Sequence, residues 1–127
     1  MEIQLNNLRT IAELQLDFNR EFPFLKLEFV EPQRSGKAGV KPKTVPGHWK
    51  LGTFKKIAAE KKITVAKTQT VRYLENELGS NLGVSVQVLR RCANSWIATT
   101  LTDLWTLEQQ NREGCEMSNT PPNRVNM

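Results

Sequence analysis

The sequence predicts an α+β protein folded as a two-layer sandwich, with helices covering one face of sheet. Strictly alternating apolar and polar residues, typical of half-buried strands, occur in both halves of the chain, and each half also carries an amphipathic helical stripe. The length of 127 residues, with 39% hydrophobic and 24% charged side chains, suffices for one hydrophobic core. We therefore expect a single domain over residues 1–115 and a flexible tail over residues 116–127.

The first strand, helix and strand of residues 1–30 have counterparts in residues 63–115, at a spacing of 60 residues that becomes 59 after the helix. Each half starts with a short alternating run, continues with an apolar stripe at helical spacing, and returns to strict alternation. The chain therefore predicts two β-α-β-like halves. The matching apolar positions are Ile3, Leu5, Ile11, Leu14, Phe18, Phe22, Leu25, Leu27 and Phe29 in the first half, and Ile63, Val65, Val71, Leu74, Leu78, Leu82, Val84, Val86 and Val88 in the second.

The ends of both helices carry recognisable signals. Thr10 and Glu13 form a capping box, in which each side chain satisfies a backbone N–H at the helix start. Thr70 supplies half of such a cap in the second half of the chain. Pro23 and Gly83 end the two helices.

The second half continues beyond its β-α-β pattern. Residues 91–95 predict a turn, and residues 96–101 predict a further strand that pairs back as a hairpin. A capping box of Thr106 and Gln109 opens a short last helix, which we expect to end near Gly114.

The segment between the halves predicts a long loop followed by a helix. Residues 31–50 are rich in proline and glycine, whereas the apolar residues of 51–58 have helical spacing. A strand at 49–54 is the alternative, and it would give the second half a β-grasp-like order. Right-handed crossovers in the two halves predict a ferredoxin-like arrangement. Because this kind of fold carries many unrelated activities, it predicts no function.

The excess positive charge lies in one segment. Residues 31–62 hold nine basic and two acidic side chains. The net positive charge of this segment alone therefore exceeds the net charge of +5 of the whole chain. A localised basic segment attracts polyanions such as nucleic acid, although a solvated lysine-rich loop has the same composition. The candidate polyanion-binding residues are Arg34, Lys37, Lys41, Lys43, Lys50, Lys55 and Lys56.

Three tryptophans are candidates for contact with a partner. Tryptophan often anchors protein interfaces, but near a short terminal helix it more often seals the core. Trp49 lies in the basic segment, and Trp96 and Trp105 bracket the predicted hairpin and the start of the last helix.

The sequence contains no motif for catalysis, cofactor binding or metal binding. His48 is the only histidine and lies in a loop rich in proline and glycine, so no rigid element orients it as a base. Cys92 and Cys115 have no metal-ligand or redox spacing, and we expect both as free thiols. The start of the chain lacks the pattern of a secretory signal, and no apolar run has the length of a membrane span. We expect a cytoplasmic, non-enzymatic protein without cofactor.

The blocks Thr70–Arg90, Trp96–Gly114 and Thr10–Lys26 resemble a family of small uncharacterised bacterial proteins, mostly from Bacteroidetes. The resemblance covers residues 1–30 and 63–114 well and is poor in the basic middle. Where the family carries a Ser-Gly-Asn turn, this chain has Cys92-Ala93-Asn94-Ser95. The resemblance supports the fold class and implies no activity, cofactor or site residue.

Two functions follow as hypotheses. The first is a protein-interaction or adaptor module that presents its sheet edge, its tryptophans or its long loop to a protein partner. The alternative is a nucleic-acid-associated protein that binds the phosphate backbone non-specifically through residues 31–62. The sequence identifies no particular partner and leaves homo-oligomerisation open.

Overall fold

The computed structural model describes residues 1–31 and 43–119, and within them it contains five strands and three α-helices. The predicted α+β class is confirmed, because helices pack on antiparallel sheets as in a two-layer sandwich. In chain order the elements are β1 (Glu2–Leu5), α1 (Ile11–Glu21), β2 (Leu25–Val30), β3 (Lys61–Thr64), α2 (Val71–Leu82), β4 (Ser85–Cys92), β5 (Ser95–Ala98) and α3 (Leu107–Asn119).

The strands form two antiparallel sheets. β1 pairs with β3, and the other sheet has the order β2-β4-β5. The two strands of each β-α-β half therefore lie in different sheets, and each pairs with its counterpart from the other half. This pairing differs from the ferredoxin-like arrangement, which needs both strands of a unit in one sheet.

Both pairings are centred on corresponding residues of the two halves. Ile3 lies opposite Ile63 in the first sheet, and Glu28 lies opposite Gln87 in the second. Such pairing is expected when two similar halves are related by an approximate two-fold rotation. The halves consequently complete each other's sheets.

One face of the three-stranded sheet carries the core. Leu25, Leu27 and Phe29 of β2 alternate inward and are 0% exposed, and Val86 and Val88 of β4 lie opposite them. The helices pack on this face, and each such apolar side chain contributes about 1.5–3 kcal/mol when removed from water. The other face carries the polar residues Lys26, Glu28, Ser85 and Gln87, as the alternation predicts, and also the buried Val30 and Leu89.

The predicted helix starts are confirmed, and so are the ends of the first two helices, since the C-cap of α1 is Phe22, directly before Pro23. Thr10 and Glu13 form the complete capping box, and Thr70 accepts a hydrogen bond from the N–H of Tyr73. The N–H and hydroxyl of Thr10 both donate to the carboxylate of Glu13 and lower its pKa. Gly83 ends α2 with φ 67°, a left-handed conformation that glycine adopts without strain.

The helix predicted at 51–58 is wrong, and the alternative strand at 49–54 does not form either. Leu51–Thr53 is a single 3-10 turn. The amide of Asn7 donates to the carbonyl of Ile57 and accepts from its N–H, both at 2.8 Å. Gly52 leaves room for that amide. These two bonds hold the irregular segment that leads from the 3-10 turn to β3.

The end of the chain differs from the prediction in the bounds of β4, β5 and α3. β4 runs to Cys92 and β5 ends at Ala98, so the last predicted strand is shorter and residues Thr100–Thr102 form a 3-10 turn. Helix α3 continues past Gly114 to Asn119. Gly114 lies inside this helix and serves close packing instead of a helix end, since a Cβ there would approach the Phe24 side chain to 2.9 Å. Residues 116–119, expected in the flexible tail, are helical, and 120–127 lie outside the described residues.

Candidate partner-binding surface

The segment between β5 and α3 is tied to the start of α2. The N–H of Val71 donates to the carbonyl of Trp105 at 3.1 Å, and the N–H of Arg72 donates to the carbonyl of Asp103 at 2.8 Å. The Arg72 guanidinium also donates to both carboxylate oxygens of Asp103, each at 3.1 Å. A bidentate ion pair of this kind fixes the relative orientation of the two side chains as well as their distance. The segment is thus held as part of the folded body.

Gln110 of α3 fixes the same segment from its other side. Its side chain is buried at 0% exposure, and its Nε2 donates to the carbonyl and the hydroxyl of Thr102, both at 2.8 Å. Its Oε1 accepts from Nη1 of Arg90 at 2.9 Å. The Arg90 guanidinium lies 5.8 Å from the centre of the Trp105 ring. This buried amide explains why the turn at 100–102 has a defined shape.

Three apolar side chains project from this fixed segment. Leu101 is 99% exposed, Leu104 is 64% exposed and Trp105 is 39% exposed. We call these three residues the apolar knob. Single exposed leucines are common on proteins, and Leu8, at 75% exposure, is one of them. Several large apolar side chains gathered on one short, anchored segment are instead typical of an interaction surface.

The corresponding segment of the first half is closed. The N–H groups of Ile11 and Ala12 donate to the carbonyls of Trp49 and Gly47, as Val71 and Arg72 do in the second half. Trp49, however, stacks on Phe54 with ring centres 5.6 Å apart, and both pack against the core. Trp49 therefore offers less apolar surface than the knob.

Trp96 lies on the wet face of the three-stranded sheet, since it pairs with the exposed Arg91. The Lys26 ammonium and the Arg91 guanidinium lie 5.3 Å and 5.8 Å from the centre of its ring. Two cations on one indole are a stabilising surface contact, worth about 0.5–1 kcal/mol each at exposed sites. The three predicted partner residues therefore differ in their surroundings. Trp49 packs against the core, Trp96 lies between two cations on the sheet face, and Trp105 belongs to the apolar knob.

The predicted polyanion-binding residues are only partly described. Arg34, Lys37 and Lys41 lie outside the described residues. Lys43 and Lys50 are both exposed. Lys43 lies beside the end of β2, where its neighbour Thr44 forms a β-bridge with Val30. Lys50 forms a β-bridge with Thr10, at the start of α1.

Lys55 and Lys56 lie elsewhere and line a depression of about 390 Å³ together with Lys61. Lys55 already donates to the carbonyl of Ser80 at 2.9 Å, near the end of α2, where a cation also suits the helix dipole. Lys56 and Lys61 are exposed residues of this depression, which also contains Glu60.

A second concave region lies between α2 and the free side of β4. Glu75, Asn76, Gly79 and Ser80 of α2 and residues 84–86 line a groove of about 550 Å³. Oε2 of Glu75 accepts the N–H of Val88 at 2.9 Å. Burial raises the pKa of Glu75, and the hydrogen bond from Val88 offsets part of that rise. We call this region the α2–β4 groove.

The described residues contain no constellation for metal binding. Within residues 1–31 and 43–119, no three His, Cys, Asp or Glu side chains are grouped to hold a metal ion. Cys92 and Cys115 are free thiols, and His48 is exposed on a turn.

Sequence analysis missed four residues that shape these surfaces. The pattern predicts Leu101 inside a strand and Glu75 on a solvated helix face, whereas Glu75 is partly buried, and it singles out neither Leu104 nor Gln110. One signal was present: Leu101 and Leu104 lie between a strand and a capping box and fit neither a strand period nor a helical one. The environments of Gln110 and Glu75 depend on tertiary contacts and leave no local signal.

Comparison of the chain with protein-family models, curated proteins and solved structures finds no match. Among the helices of the described residues, none combines the length and the apolar character needed to cross a membrane.

Proposed function

We propose that the protein is a non-enzymatic interaction module that binds a protein partner through the apolar knob. The observation that carries this proposal is the 99% exposure of Leu101 on a segment fixed by Gln110 and by the Arg72–Asp103 pair. Keeping a leucine in water is unfavourable, by about 25 cal/mol for each Å² of apolar surface left uncovered. A partner with an apolar depression would cover the knob, and the rigid segment would lose little conformational entropy on binding.

The proposal includes a cytoplasmic location. Two free thiols in the described residues, Cys92 and Cys115, suit a reducing compartment, where disulfides are rare.

The knob is tested by photo-cross-linking in the cells that make the protein. A photoreactive amino acid at Leu101 is expected to give an adduct of one defined mass, while the same amino acid at Leu8 gives none. Leu8 is the matched control because it is also a highly exposed leucine, at 75%. The adduct identifies the partner, whose affinity is then measured with both purified proteins.

The double variant Leu101→Ser/Leu104→Ser is expected to bind that partner at least about tenfold more weakly, which corresponds to about 1.4 kcal/mol. Its stability should stay within about 0.5 kcal/mol of the wild type, because both side chains are exposed. Equal adducts from Leu101 and Leu8, or unchanged affinity of the double variant, would contradict the proposal. Salt-sensitive binding of labelled oligonucleotides, lost in Lys56→Glu/Lys61→Glu, would favour the nucleic-acid alternative instead.

A further inference from the structure

The N-terminal part of β4 has a free edge. β5 pairs only with Leu89–Cys92 of β4, so residues 85–88 have no strand on that side among the described residues. Both backbone groups of Val88 point to this side, since its N–H donates to Glu75 and its carbonyl accepts from the Thr99 hydroxyl at 2.7 Å. Alternation along a strand directs the N–H and carbonyl of Val86 the same way.

The corresponding edge of the first half is closed at Leu25 and Leu27 by side chains of α1, and at Phe29 by the backbone of Val45, whose N–H donates to the Phe29 carbonyl at 2.7 Å. The Asn19 amide donates to the carbonyl of Leu25 at 2.9 Å, and the Gln15 amide donates to the carbonyl of Leu27 at 3.0 Å. These two side chains occupy the line along which another strand would approach. One half of the molecule therefore shows how this edge is blocked.

In the second half, neither blocking amide is present. Gly79 stands where the first half has Asn19, and Glu75 stands where it has Gln15. A carboxylate cannot donate to a carbonyl, and Glu75 instead accepts from Val88. Among the described residues, no side chain donates to the carbonyls of Val84 or Val86. The α2–β4 groove of about 550 Å³ lies along this free backbone.

The charge of the groove indicates what would fit it. Glu75 is its only ionisable lining residue within the described part of the chain, and it is partly buried. The attraction between a carboxylate and a cation is stronger in a partly buried site than at the surface, because less water screens the two charges. A residue paired with Val86 would direct its side chain to the same face of the sheet as Val86, toward α2.

We propose that the free edge of β4 binds an extended, basic peptide segment of a partner protein. The segment adds a strand beside residues 84–86, exchanges both backbone hydrogen bonds with Val86, and places a lysine or arginine against Glu75. Recognition by strand addition takes affinity from the backbone and specificity from alternate side chains. The surface is separate from the apolar knob.

The test uses the full chain and a fluorescent, end-blocked heptapeptide of alternating valine and lysine. Wild-type protein is expected to bind it, with amide chemical-shift changes largest at Ser85, Val86 and Gln87. A second peptide with glutamate in place of lysine should bind at least about tenfold more weakly. A third with alternate amides methylated should also lose about tenfold, because it lacks the donors that the edge requires.

The matched protein variant is Glu75→Gln/Gly79→Asn, which gives the second edge the residues of the first. A Cβ at position 79 would lie 3.2 Å from the carbonyl oxygen of Val84, which requires a small backbone shift there. Because α1 carries the same pair, the variant is expected to fold and to bind the lysine peptide at least about tenfold more weakly. The variants Glu75→Gln and Gly79→Asn alone should each weaken binding, which keeps the test decisive if the double variant fails to fold.

Several results would overturn the proposal: no binding of the lysine peptide by wild type, equal binding of the glutamate or methylated peptides, or unchanged affinity of the folded variants. Self-association that the double variant abolishes would assign the edge to a second copy and would also overturn it. The knob variant Leu101→Ser/Leu104→Ser should bind the peptide like wild type, so failure of either proposal is distinguishable from failure of the other.

Discussion

Ala93, at the tip of the β4–β5 hairpin, carries backbone strain. Its φ is 53°, and among the described residues it is the one residue other than glycine with a positive φ. The left-handed region costs an alanine about 1–2 kcal/mol because its Cβ crowds the following carbonyl. Glycine is the residue that such hairpin positions favour.

Ala93→Gly is therefore expected to stabilise the protein by about 0.5–1 kcal/mol, since relief of strain exceeds the extra entropy of an unfolded glycine. The free energy of unfolding in urea measures this change. Ala98→Gly, in β5 and without a positive φ, should instead destabilise by about 0.5–1 kcal/mol. Destabilisation by both substitutions would contradict a strained Ala93.

Glu75 and Glu13 have pKa values shifted in opposite directions, which gives them opposite effects on stability. Burial raises the pKa of Glu75 above the ordinary 4.5, so the folded chain binds this proton more readily than the unfolded chain. The contribution of Glu75 to stability therefore falls as pH rises from the ordinary value through the raised one. Hydrogen bonds from Thr10 lower the pKa of Glu13, so its contribution is lost as pH falls through the lowered value.

We expect Glu75→Gln to be more stable than wild type near pH 7 and to lose that advantage well below pH 4.5. Glutamine stays neutral and can still accept the N–H of Val88. Urea midpoints at both pH values give the comparison, with Glu13→Gln as a control expected to change with pH in the opposite sense. A pH-independent difference between Glu75→Gln and wild type would show that desolvation of the carboxylate is not its cause.

The segment that follows Leu51 shows how one distant side chain decides the form of an element. Leu51 and Leu107 begin in the same way, with N–H groups that donate to Arg9 and Gln69 at 2.8 Å and 2.9 Å. After Leu107 the chain forms α3, whereas after Leu51 it forms one 3-10 turn. Helical spacing in 51–58 predicted a helix because it records only local pattern, and Asn7 lies far away in sequence.

Asn7→Ala is expected to cost about 1–3 kcal/mol, because it leaves the N–H and the carbonyl of Ile57 without their partner. Unfolding in urea measures this loss, and hydrogen exchange should show faster exchange of the Ile57 amide. Asn7→Asp still accepts from Ile57 but cannot donate, so its cost should be smaller at low pH, where the acid can donate. A cost below the error of measurement would mean that the segment is held by packing of Leu51 and Ile57 alone.

Local signals predicted the elements of this molecule better than its assembly. Thr10, Glu13, Thr70 and Gly83 marked helix ends correctly because a cap is a contact between near neighbours. Alternation in β2 and β4 showed which face is buried but carried no information on which strand lies beside which. Pairing between the halves therefore could not be predicted.

The candidate surfaces were predictable to the same limited extent. Trp105 was identified by residue type, but its neighbours Leu101 and Leu104 gained importance only when Gln110 and Asp103 fixed their segment. The free edge of β4 depends on two differences between the halves, at Glu75 and Gly79. Both differences are visible in the sequence. Their effect on the edge can be recognised only from the structure, in which Gln15 and Asn19 of α1 donate to the carbonyls of Leu27 and Leu25.

The interleaved pairing of the two halves affects how the protein is made. Ile3 pairs with Ile63, and Phe29 pairs with Val86. Each strand of the first half can therefore pair only after about sixty further residues have been synthesised. At roughly 5–20 residues per second on a ribosome, that delay lasts several seconds. During it, β1 and β2 leave the ribosome as unpaired apolar strands, which are substrates for chaperones and for aggregation. A nascent chain stalled before β4 would have no second strand on which to build its larger sheet.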